Sequence, residues 1–246
     1  PAVSDANKAF SFLKSSKRAS QILALSDQVS VGNEFLASYA RQFNSQVTVI
    51  PTAVDTNRFA PRADVLPAEG RTLVVGWIGS PTTFQYLESL RDVLAAVAAR
   101  HPFTLKVSGA GRAVDFPGVD VEVVPWSMAD EVKLFNTCDI GVYPLSDDDW
   151  ARGKCGFKAI QCMACGVPVV AAAVGVNREI ITHGVDGMLA STRQEWIDHL
   201  SRLLIDAALR QRMALAGRRT IQARYSLDVT APQLAGVLRA ALQRQP

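Results

Sequence analysis

The chain alternates short β-rich runs with helical patterns, and this alternation restricts its fold more than any other feature of the sequence. The runs are rich in Val and Ile and almost continuously apolar, which is typical of strands buried on both faces of a parallel sheet. They are Thr72–Ile78, Phe103–Val107, Val119–Val124, Asp139–Tyr143 and Pro168–Ala173. The repeat predicts an α/β fold over roughly residues 70–190, namely a doubly wound, Rossmann-like parallel sheet with helices on both faces.

Helical patterns lie between these runs and continue to the end of the chain. Those between the strands are Thr83–Arg100, Ala129–Asn136, Gly153–Cys165 and Asn177–Ile181, and those after them are Glu195–Ile205, Ala207–Arg224 and Val229–Leu242. We expect these helices to pack on or beside the sheet through their apolar stripes.

The sequence before residue 70 has a different texture. Residues 5–25 and Asn33–Phe43 are predicted to be helices, with Asn33 as the N-cap of the second. A short strand, Val47–Ile50, follows, and then an irregular stretch, Pro51–Gly70, that contains three prolines. That stretch is typical of a linker into the α/β domain.

The composition is that of an ordinary globular domain, with 48% hydrophobic and 20% charged residues. The net charge of +3 is too small to argue for nucleic acid as a partner. Residues 201–246 nevertheless hold eight arginines against two aspartates. Solvated faces of amphipathic helices explain this excess best, and an anionic surface such as the inner face of a membrane is the alternative.

The sequence favours a reduced, cytoplasmic location. No apolar run approaches the ~20 residues that span a bilayer, and no signal peptide opens the chain. Its first residue is Pro1 rather than Met, as in a processed or shortened chain. Its four cysteines lie in apolar or small-residue segments, which is not the pattern of a secreted disulfide framework.

Cys162 and Cys165 match the C-x-x-C spacing of metal and redox sites. No second pair of this kind exists, and the three histidines are scattered. Buried packing is therefore the preferred interpretation of these thiols, and we expect no metal bound by protein ligands.

Ligands bind a doubly wound sheet where strands end and helices begin, because helix N-termini carry free N–H groups and positive potential. After the first predicted strand, Gly76 and Gly79 permit close backbone approach, and Thr82 or Thr83 can cap the next helix. A phosphate loop and a simple helix start are equal alternatives at this turn.

The second strand-to-helix turn contains a G-x-G formed by Gly109 and Gly111. The third glycine of a dinucleotide fingerprint would fall at position 114, which is Val114. This turn therefore argues against a NAD-binding site.

The third turn, Asp147–Gln161, is the most informative segment. If its helix begins at Gly153, then Lys154, Lys158 and Gln161 share one stripe at about 100° per residue. Two lysines near the positive end of a helix are repelled by the helix dipole, and a bound anion would remove that repulsion. We favour an anionic ligand here.

Two further expectations attach to that helix. Asp147–Asp149 could neutralise the lysines instead of a ligand, which is the alternative to an anion site. Phe157, Ile160 and Ala164 form a neighbouring stripe that can face the sheet.

Several blocks of the sequence, in order, resemble those of retaining glycosyltransferase family 4, whose members have the GT-B fold. Met163–Val170 (MACGVPVV) resembles the family's "EAMACGxPVV" block. The other matching blocks are Val74–Gly79, Leu105–Gly111, Asp139–Leu145, Val174–Ile180, Gly184–Leu189 and Arg218–Ser226. The resemblance covers nearly all of residues 47–226 and is specific as a set.

The resemblance implies a two-lobed enzyme that binds a UDP- or GDP-linked sugar in its C-terminal lobe and an acceptor in its N-terminal lobe. The sugar would be transferred with retention and without a bound metal. Residues 1–46 would then be a remnant of the acceptor lobe, 47–70 a linker, 71–226 the donor lobe and 227–246 a C-terminal helix. With one lobe essentially missing, we expect a donor-binding fragment that does not transfer sugar by itself.

The chain departs from the family at two glutamates separated by seven residues, which correspond to Gly153 and Gln161. Gln161 can still hydrogen-bond ribose hydroxyls, and Asp149 or a neighbouring aspartate is expected to replace the contact that Gly153 lacks. Lys154 and Lys158 are expected to be the catalytic cations, stabilising charge on the diphosphate leaving group. The residues expected to bind the donor are Gly79, Ser80, Gly109, Trp126, Asp149, Lys154, Gly156, Phe157, Lys158 and Gln161.

Two other functional classes stay open. One is a non-catalytic module that binds a nucleotide or a sugar phosphate, because Gly153 and Gln161 replace the family's glutamates. The other is a nucleotide-cofactor oxidoreductase, which Val114 and the missing acidic residue on a second strand disfavour.

Overall fold

The computed structural model describes residues 16–62 and 70–243 of the 246-residue chain. Part of the helix expected over residues 5–25, part of the linker up to Gly70 and the last three residues therefore lie outside the described residues.

Eight strands are formed within the described residues. In chain order they are β1 Val29–Val31, β2 Val47–Val49, β3 Leu73–Ile78, β4 Phe103–Ser108, β5 Asp120–Val124, β6 Ile140–Tyr143, β7 Val169–Ala172 and β8 Met188–Ala190. The last six form one sheet in the order β5-β4-β3-β6-β7-β8, and every neighbouring pair in it is parallel. Five of these six match the predicted runs, and β8 is an additional edge strand.

The helices of the described residues lie before, between and after these strands. They are α1 Ser16–Leu25, α2 Glu34–Ala40, α3 Phe84–Glu88, α4 Arg91–Ala98, α5 Glu131–Asn136, α6 Asp149–Arg152, α7 Phe157–Ala164, α8 Asn177–Ile180, α9 Arg193–Ile205, α10 Ala207–Arg224 and α11 Leu227–Leu242. None of them is both long and apolar enough to cross a bilayer.

The sheet is covered on both faces, as the continuously apolar strands require. Successive residues of a strand point to opposite faces, and in β7 Val170 belongs to one hydrophobic cluster while Val169 belongs to the other. The first cluster includes Leu94 of α4 and Leu200 of α9, and the second includes Ile160 of α7. The expected fold class, a parallel α/β sheet with helices on both faces, is confirmed.

The single helix predicted over Thr83–Arg100 is wrong, because α3 and α4 are separate helices. The hydroxyl of Ser89, just after α3, donates a 2.7 Å hydrogen bond to the carbonyl of Tyr86. Such local side-chain bonds compete with the helical ladder and favour a break. Leu87 and Leu94 remain buried on either side of the break, so the apolar periodicity gave no sign of it.

The helix predicted over Gly153–Cys165 begins later than expected, at Phe157. Gly156 has a φ of +68°, which lies in the left-handed region and cannot continue a right-handed helix. The preceding residues form the short helix α6 and the turn that closes it, in which the Lys154 N–H donates to the Ala151 carbonyl at 3.0 Å. Lys154 is therefore a turn residue and shares no helical stripe with Lys158.

The N-terminal segment forms a small unit of its own. β1 pairs in parallel with β2, and α2 lies between them in sequence. The side chain of Asn33 accepts a hydrogen bond from the Leu36 N–H at 2.9 Å, which confirms Asn33 as the N-cap of α2. A bridge between Val54 and Ser226 joins the following stretch to the start of α11.

Candidate functional site

The strand order of the large sheet places a crevice between β3 and β6. The chain runs from β3 outward through β4 to β5 and then returns to β6 on the other side of β3. Ligands of open α/β sheets bind at such a switch point, beyond the carboxyl ends of the strands. The segments that follow β3, β4, β5 and β6 therefore surround the candidate site.

The turns after β3 and β4 pack tightly against each other. Gly109 has a φ of +84°, and a Cβ there would lie 2.2 Å from the carbonyl oxygen of Gly79. The hydroxyl of Thr83 accepts a 2.9 Å hydrogen bond from the Ser80 N–H and makes no side-chain cap on α3, contrary to our expectation for Thr82 or Thr83. The two turns thus form one closely packed surface at the carboxyl ends of β3 and β4.

The side chains of Asp147–Asp149, which follow β6, interact with residues of their own short helix. Asp148 is the N-cap of α6 and accepts from the Ala151 N–H at 2.8 Å. Arg152 lies 2.9 Å from Asp147 and 3.7 Å from Asp149. The run therefore pairs with Arg152 at its own helix end, and none of its carboxylates forms an ion pair with a lysine within the described residues.

Lys154 is a half-buried cation held between two aromatic rings. Its Nζ lies 5.7 Å from the ring centroids of Tyr86 and Trp150. Burial lowers the pKa of Lys154, and the charge of Asp148 offsets only part of this effect. A partly desolvated ammonium group without an ion-pair partner among the described residues is stabilised by a bound anion.

Lys158, in the first turn of α7, lies in a different environment. Its Nζ donates 2.9 Å hydrogen bonds to Glu131 Oε1 and to Gln161 Oε1. Glu131 is the first residue of α5 and is only 8% exposed. Burial raises the pKa of Glu131, but the hydrogen bond and charge of Lys158, together with hydrogen bonds to Gln161 and Trp126, outweigh burial, so the pKa lies below its ordinary value. Lys158 and Glu131 thus form a largely buried ion pair.

Aromatic side chains surround this ion pair. Phe157 is 40% exposed, so the expectation that it faces the sheet is wrong, whereas Ile160 is fully buried as expected. Lys158 Nζ lies 5.8 Å from the Phe157 ring centroid. Trp126, which follows β5 and is 46% exposed, interacts with Glu131 closely enough to contribute to lowering its pKa.

The N-terminal unit also contacts the segment before α7. The side-chain amide of Asn33 donates to the carbonyls of Lys154 at 3.0 Å and Arg152 at 3.3 Å. A Cβ on Gly32 would lie 2.3 Å from the sulfur of Cys155, so the turn after β1 presses against the turn before α7.

The structure thus divides the predicted site residues into three groups. Gly79, Ser80 and Gly109 form the paired turns, Lys154 and Gly156 belong to the segment before α7, and Trp126, Phe157, Lys158 and Gln161 surround Glu131. The carboxylate of Asp149 is turned toward Arg152 and is 85% exposed.

Sequence reasoning missed Glu131, Tyr86 and Asn33 as members of the site. Glu131 looked like an ordinary acidic residue at a helix start, which the helix dipole alone explains. Only the N-cap pattern of Asn33 carried a local signal.

The thiols and histidines form no comparable site. Cys162 and Cys165 are free and buried, as expected for packing residues. Within residues 16–62 and 70–243, no group of three His, Cys, Asp or Glu side chains could hold a metal ion. A cavity of about 450 Å³ lined by Asp139, Pro168 and Arg210 lies at the amino ends of β6 and β7, on the edge of the sheet opposite the candidate site.

Curated proteins similar to this chain include D-inositol 3-phosphate glycosyltransferases. That of Stackebrandtia nassauensis is 30% identical over 257 residues, covering 92% of this chain and 56% of the relative. That of Thermobispora bispora is 28% identical over 230 residues, covering 81% of this chain and 51% of the relative. The chain therefore spans about half the length of these relatives.

Similar solved structures share the fold at low sequence identity. Sucrose-phosphate synthase from Thermosynechococcus elongatus superposes with a TM-score of 0.72 at 21% identity, covering 96% of this chain and 66% of that one. Anabaena HepE, in its complex with UDP and glucose, superposes with a TM-score of 0.73 at 18% identity, covering 91% of this chain and 66% of that one.

A family comparison agrees with the fold. The sequence model described as "Glycosyl transferases group 1" matches residues 72–206, which include β3 to β8 and the segments around the candidate site. This match covers more than half of the chain, and the chain therefore belongs to the group 1 glycosyltransferases.

Proposed function

We propose that residues 71–226 are the donor-binding lobe of a retaining, family-4-like glycosyltransferase. In this proposal a nucleoside-diphosphate sugar lies over the crevice between β3 and β6. Lys154 and Lys158 bind the diphosphate, and Gln161 lies on the ribose side. The single observation that carries the proposal is Lys154, a partly desolvated ammonium without an ion-pair partner among the described residues, at the carboxyl edge of the sheet.

The chemistry required of this lobe is mainly electrostatic. Departure of a nucleoside diphosphate develops negative charge on its phosphate oxygens, and preorganised cations and N–H groups stabilise that charge without reorganising. Lys154 is held ready between Tyr86 and Trp150, and the first turn of α7 adds free backbone N–H groups. We propose the two lysines as the catalytic residues on this ground.

The remaining donor contacts follow from the paired turns and the aromatic rim. We propose that the backbone at Gly79, Ser80 and Gly109 contacts the donor, because the two packed turns follow the carboxyl ends of β3 and β4. Trp126 and Phe157 present exposed ring surface, which suits the flat face of a nucleobase.

The donor in this proposal is linked to UDP or GDP. Anabaena HepE has been crystallised with UDP and with UDP-glucose, which supports a uridine nucleotide for a protein of the same fold. No metal takes part in the proposed transfer, because the lysines neutralise the diphosphate. The acceptor, whether a glycan, a lipid or a small molecule, is not assigned.

We further propose that residues 1–46 belong to an acceptor lobe that is otherwise outside the chain, with 47–70 as the linker and 227–246 as a C-terminal helix. Phe35, Tyr39 and Phe43 on and after α2 are each at least 38% exposed, which supports a further surface that covers them. The chain alone then binds the donor but transfers no sugar. We propose that the protein is cytoplasmic and that its arginine-rich C-terminal region, or the acceptor lobe outside this chain, contacts the inner face of the membrane.

Calorimetric titration of residues 1–246 with UDP, GDP and NAD tests the proposal. We expect binding of UDP or GDP, no binding of NAD, and no sugar transfer by this chain. Binding of NAD alone would favour an oxidoreductase, and robust transfer by this chain would contradict the assignment of a missing acceptor lobe.

The second candidate is a non-catalytic module that binds a nucleotide or a sugar phosphate. The observation that favours it is the pair Gly153 and Gln161, which lack the carboxylates of the family's two glutamates. A protein that carries both lobes distinguishes the two candidates, since only an enzyme forms glycosylated product from a nucleotide-sugar.

A further inference from the structure

Glu131 is a carboxylate that the proposed donor contacts do not use. It lies at the start of α5, after the carboxyl end of β5, and its side chain is 10% exposed. Removing a carboxylate from water is costly unless a cation compensates it. Lys158 does so at 2.9 Å, and this amine also holds the side chain of Gln161.

Gln161 carries a second unusual feature. Its side chain is fully buried, and its Nε2 makes no hydrogen bond of good geometry among the described residues. The Gln161 amide nevertheless lies close enough to the Glu131 carboxylate to help lower the pKa of that group. Its Oε1 accepts from Lys158, so only the buried N–H lacks a well-placed acceptor, and leaving such a donor unpaired is unfavourable. An unsatisfied donor beside a carboxylate at the ligand-binding edge of a sheet indicates a missing polar partner.

A vicinal diol meets the requirements of both groups. Each hydroxyl both donates and accepts a hydrogen bond. A carboxylate accepts two such bonds strongly, and a carboxamide N–H supplies a donor to the diol oxygens. The ribose of every ribonucleoside diphosphate carries this diol.

We propose that Glu131 binds the ribose hydroxyls of the nucleotide together with Gln161. This inference rests on the proposed function. The carboxylate that the family motif would place at position 161 is then supplied by α5, from 30 residues earlier in the chain. Lys158 has two alternative partners, Glu131 in the free protein and the diphosphate in the complex.

The exchange of partners follows from charge. A diphosphate offers Lys158 more negative charge than one carboxylate, so its amine is drawn toward the phosphates. The oxygens of Glu131 are then free to accept from the diol, and the space vacated by Lys158 opens a path to the Gln161 amide.

The test is a binding cycle on residues 1–246 with three probes: UDP, 2′,3′-dideoxyuridine diphosphate and inorganic pyrophosphate, with the guanosine analogues in place of uridine if GDP binds better. The wild-type protein should bind UDP at least about tenfold more tightly than the dideoxy analogue, the discrimination expected of a hydrogen bond to a charged group. Glu131→Gln should reduce this ratio to below about threefold and leave pyrophosphate affinity equal or higher.

Asp130→Asn is the matched control. Asp130 is the exposed carboxylate next to Glu131, and its oxygen is bonded to Ser127 at 2.7 Å. This variant should keep the wild-type ratio. Should Glu131→Gln fail to fold, the double variant Glu131→Gln/Lys158→Met removes the buried charge altogether, and the ratio is measured there.

The outcomes separate the two levels of the proposal. An unchanged UDP-to-dideoxy affinity ratio in Glu131→Gln overturns the inference, even if overall affinity falls. Loss of a merely structural ion pair would weaken the binding of both nucleotides by the same factor. Failure of the wild-type protein to bind any of UDP, GDP and pyrophosphate overturns the proposed function itself, and the inference with it.

Discussion

The side-chain amide of Asn33 donates a 3.0 Å hydrogen bond to the main-chain carbonyl of Lys154, although 121 positions separate them along the chain. The same side chain caps α2 through its oxygen. One residue of the N-terminal unit therefore fixes its own helix and the turn that carries the proposed diphosphate ligand. The position of Lys154 depends on that unit as well as on the sheet.

Substitutions of Asn33 separate these two roles. Asn33→Ser keeps an N-cap oxygen but is too short to reach the Lys154 carbonyl, so we expect a small change in thermal stability and a several-fold loss of UDP affinity. Asn33→Ala removes both contacts and should also lower the unfolding free energy by about 1 kcal/mol. Denaturant unfolding and calorimetric titration of the same samples measure both effects. Equal nucleotide affinity in the wild-type protein and both variants would show that Asn33 does not position Lys154.

Lys154→Met should weaken the binding of UDP and of pyrophosphate by about 1.5–3 kcal/mol, because a charge-assisted hydrogen bond to the diphosphate is lost. The stability of the ligand-free protein should change by less than about 1 kcal/mol, since lost cation–π contacts are offset by relief of a desolvated charge.

Lys133→Met, which removes an exposed lysine of α5, is the control for Lys154→Met and should leave binding unchanged. A variant of Lys154 that unfolds easily and still binds UDP normally would show that this lysine is structural.

Unlike Lys154→Met, Lys158→Met should clearly lower the stability of the ligand-free protein. It leaves Glu131 buried without its cation, and we expect a loss of about 1–3 kcal/mol of unfolding free energy, less than for a fully buried pair because Lys158 is 27% exposed. Adding Glu131→Gln to this variant should restore much of the loss. Denaturant titration of the four proteins of this cycle measures the coupling, and purely additive effects would show that the pair contributes nothing.

The ion pair also predicts how stability depends on pH. The folded-state pKa of Glu131 lies below its ordinary value of 4.5, so its stabilising contribution is complete above that value and is lost as pH falls through the folded-state pKa. Between about pH 6 and about pH 3.5 the wild-type protein should therefore lose more stability than Glu131→Gln. Parallel pH-dependent curves for the two proteins would contradict this.

Three of the four thiols should be unreactive in the native protein. Burial raises the pKa of Cys138 and of Cys165 to about 12, and raises that of Cys162 as well. Cys155 is partly exposed and should react first with a disulfide reagent, while all four react after denaturation. A chelator should leave the melting temperature unchanged, and stoichiometric zinc in the purified protein would refute the metal-free assignment.

The sequence by itself determined the strands of the sheet and most of the helices that pack on it. Five strands of the large sheet lie within a residue or two of the predicted runs, and α10 occupies Ala207–Arg224 as predicted. These features follow from local apolar periodicity, which a strand or helix imposes on its own residues. The set of blocks that includes Met163–Val170 indicated a glycosyltransferase, because contiguous motifs can be recognised without knowledge of the fold.

Only the tertiary structure decided which charges meet. The helix predicted from Gly153 begins only at Phe157, because Gly156 has a left-handed backbone conformation. Gly156 also lies against Ile180 of α8, and a Cβ there would lie 2.2 Å from that side chain. The later helix start places Lys154 in a turn beside Tyr86 and Trp150, away from the stripe of Lys158. Lys158 meets Glu131 across 27 positions because α5 and α7 are brought together at one edge of the sheet. Strand order sets such meetings, and no local pattern encodes it.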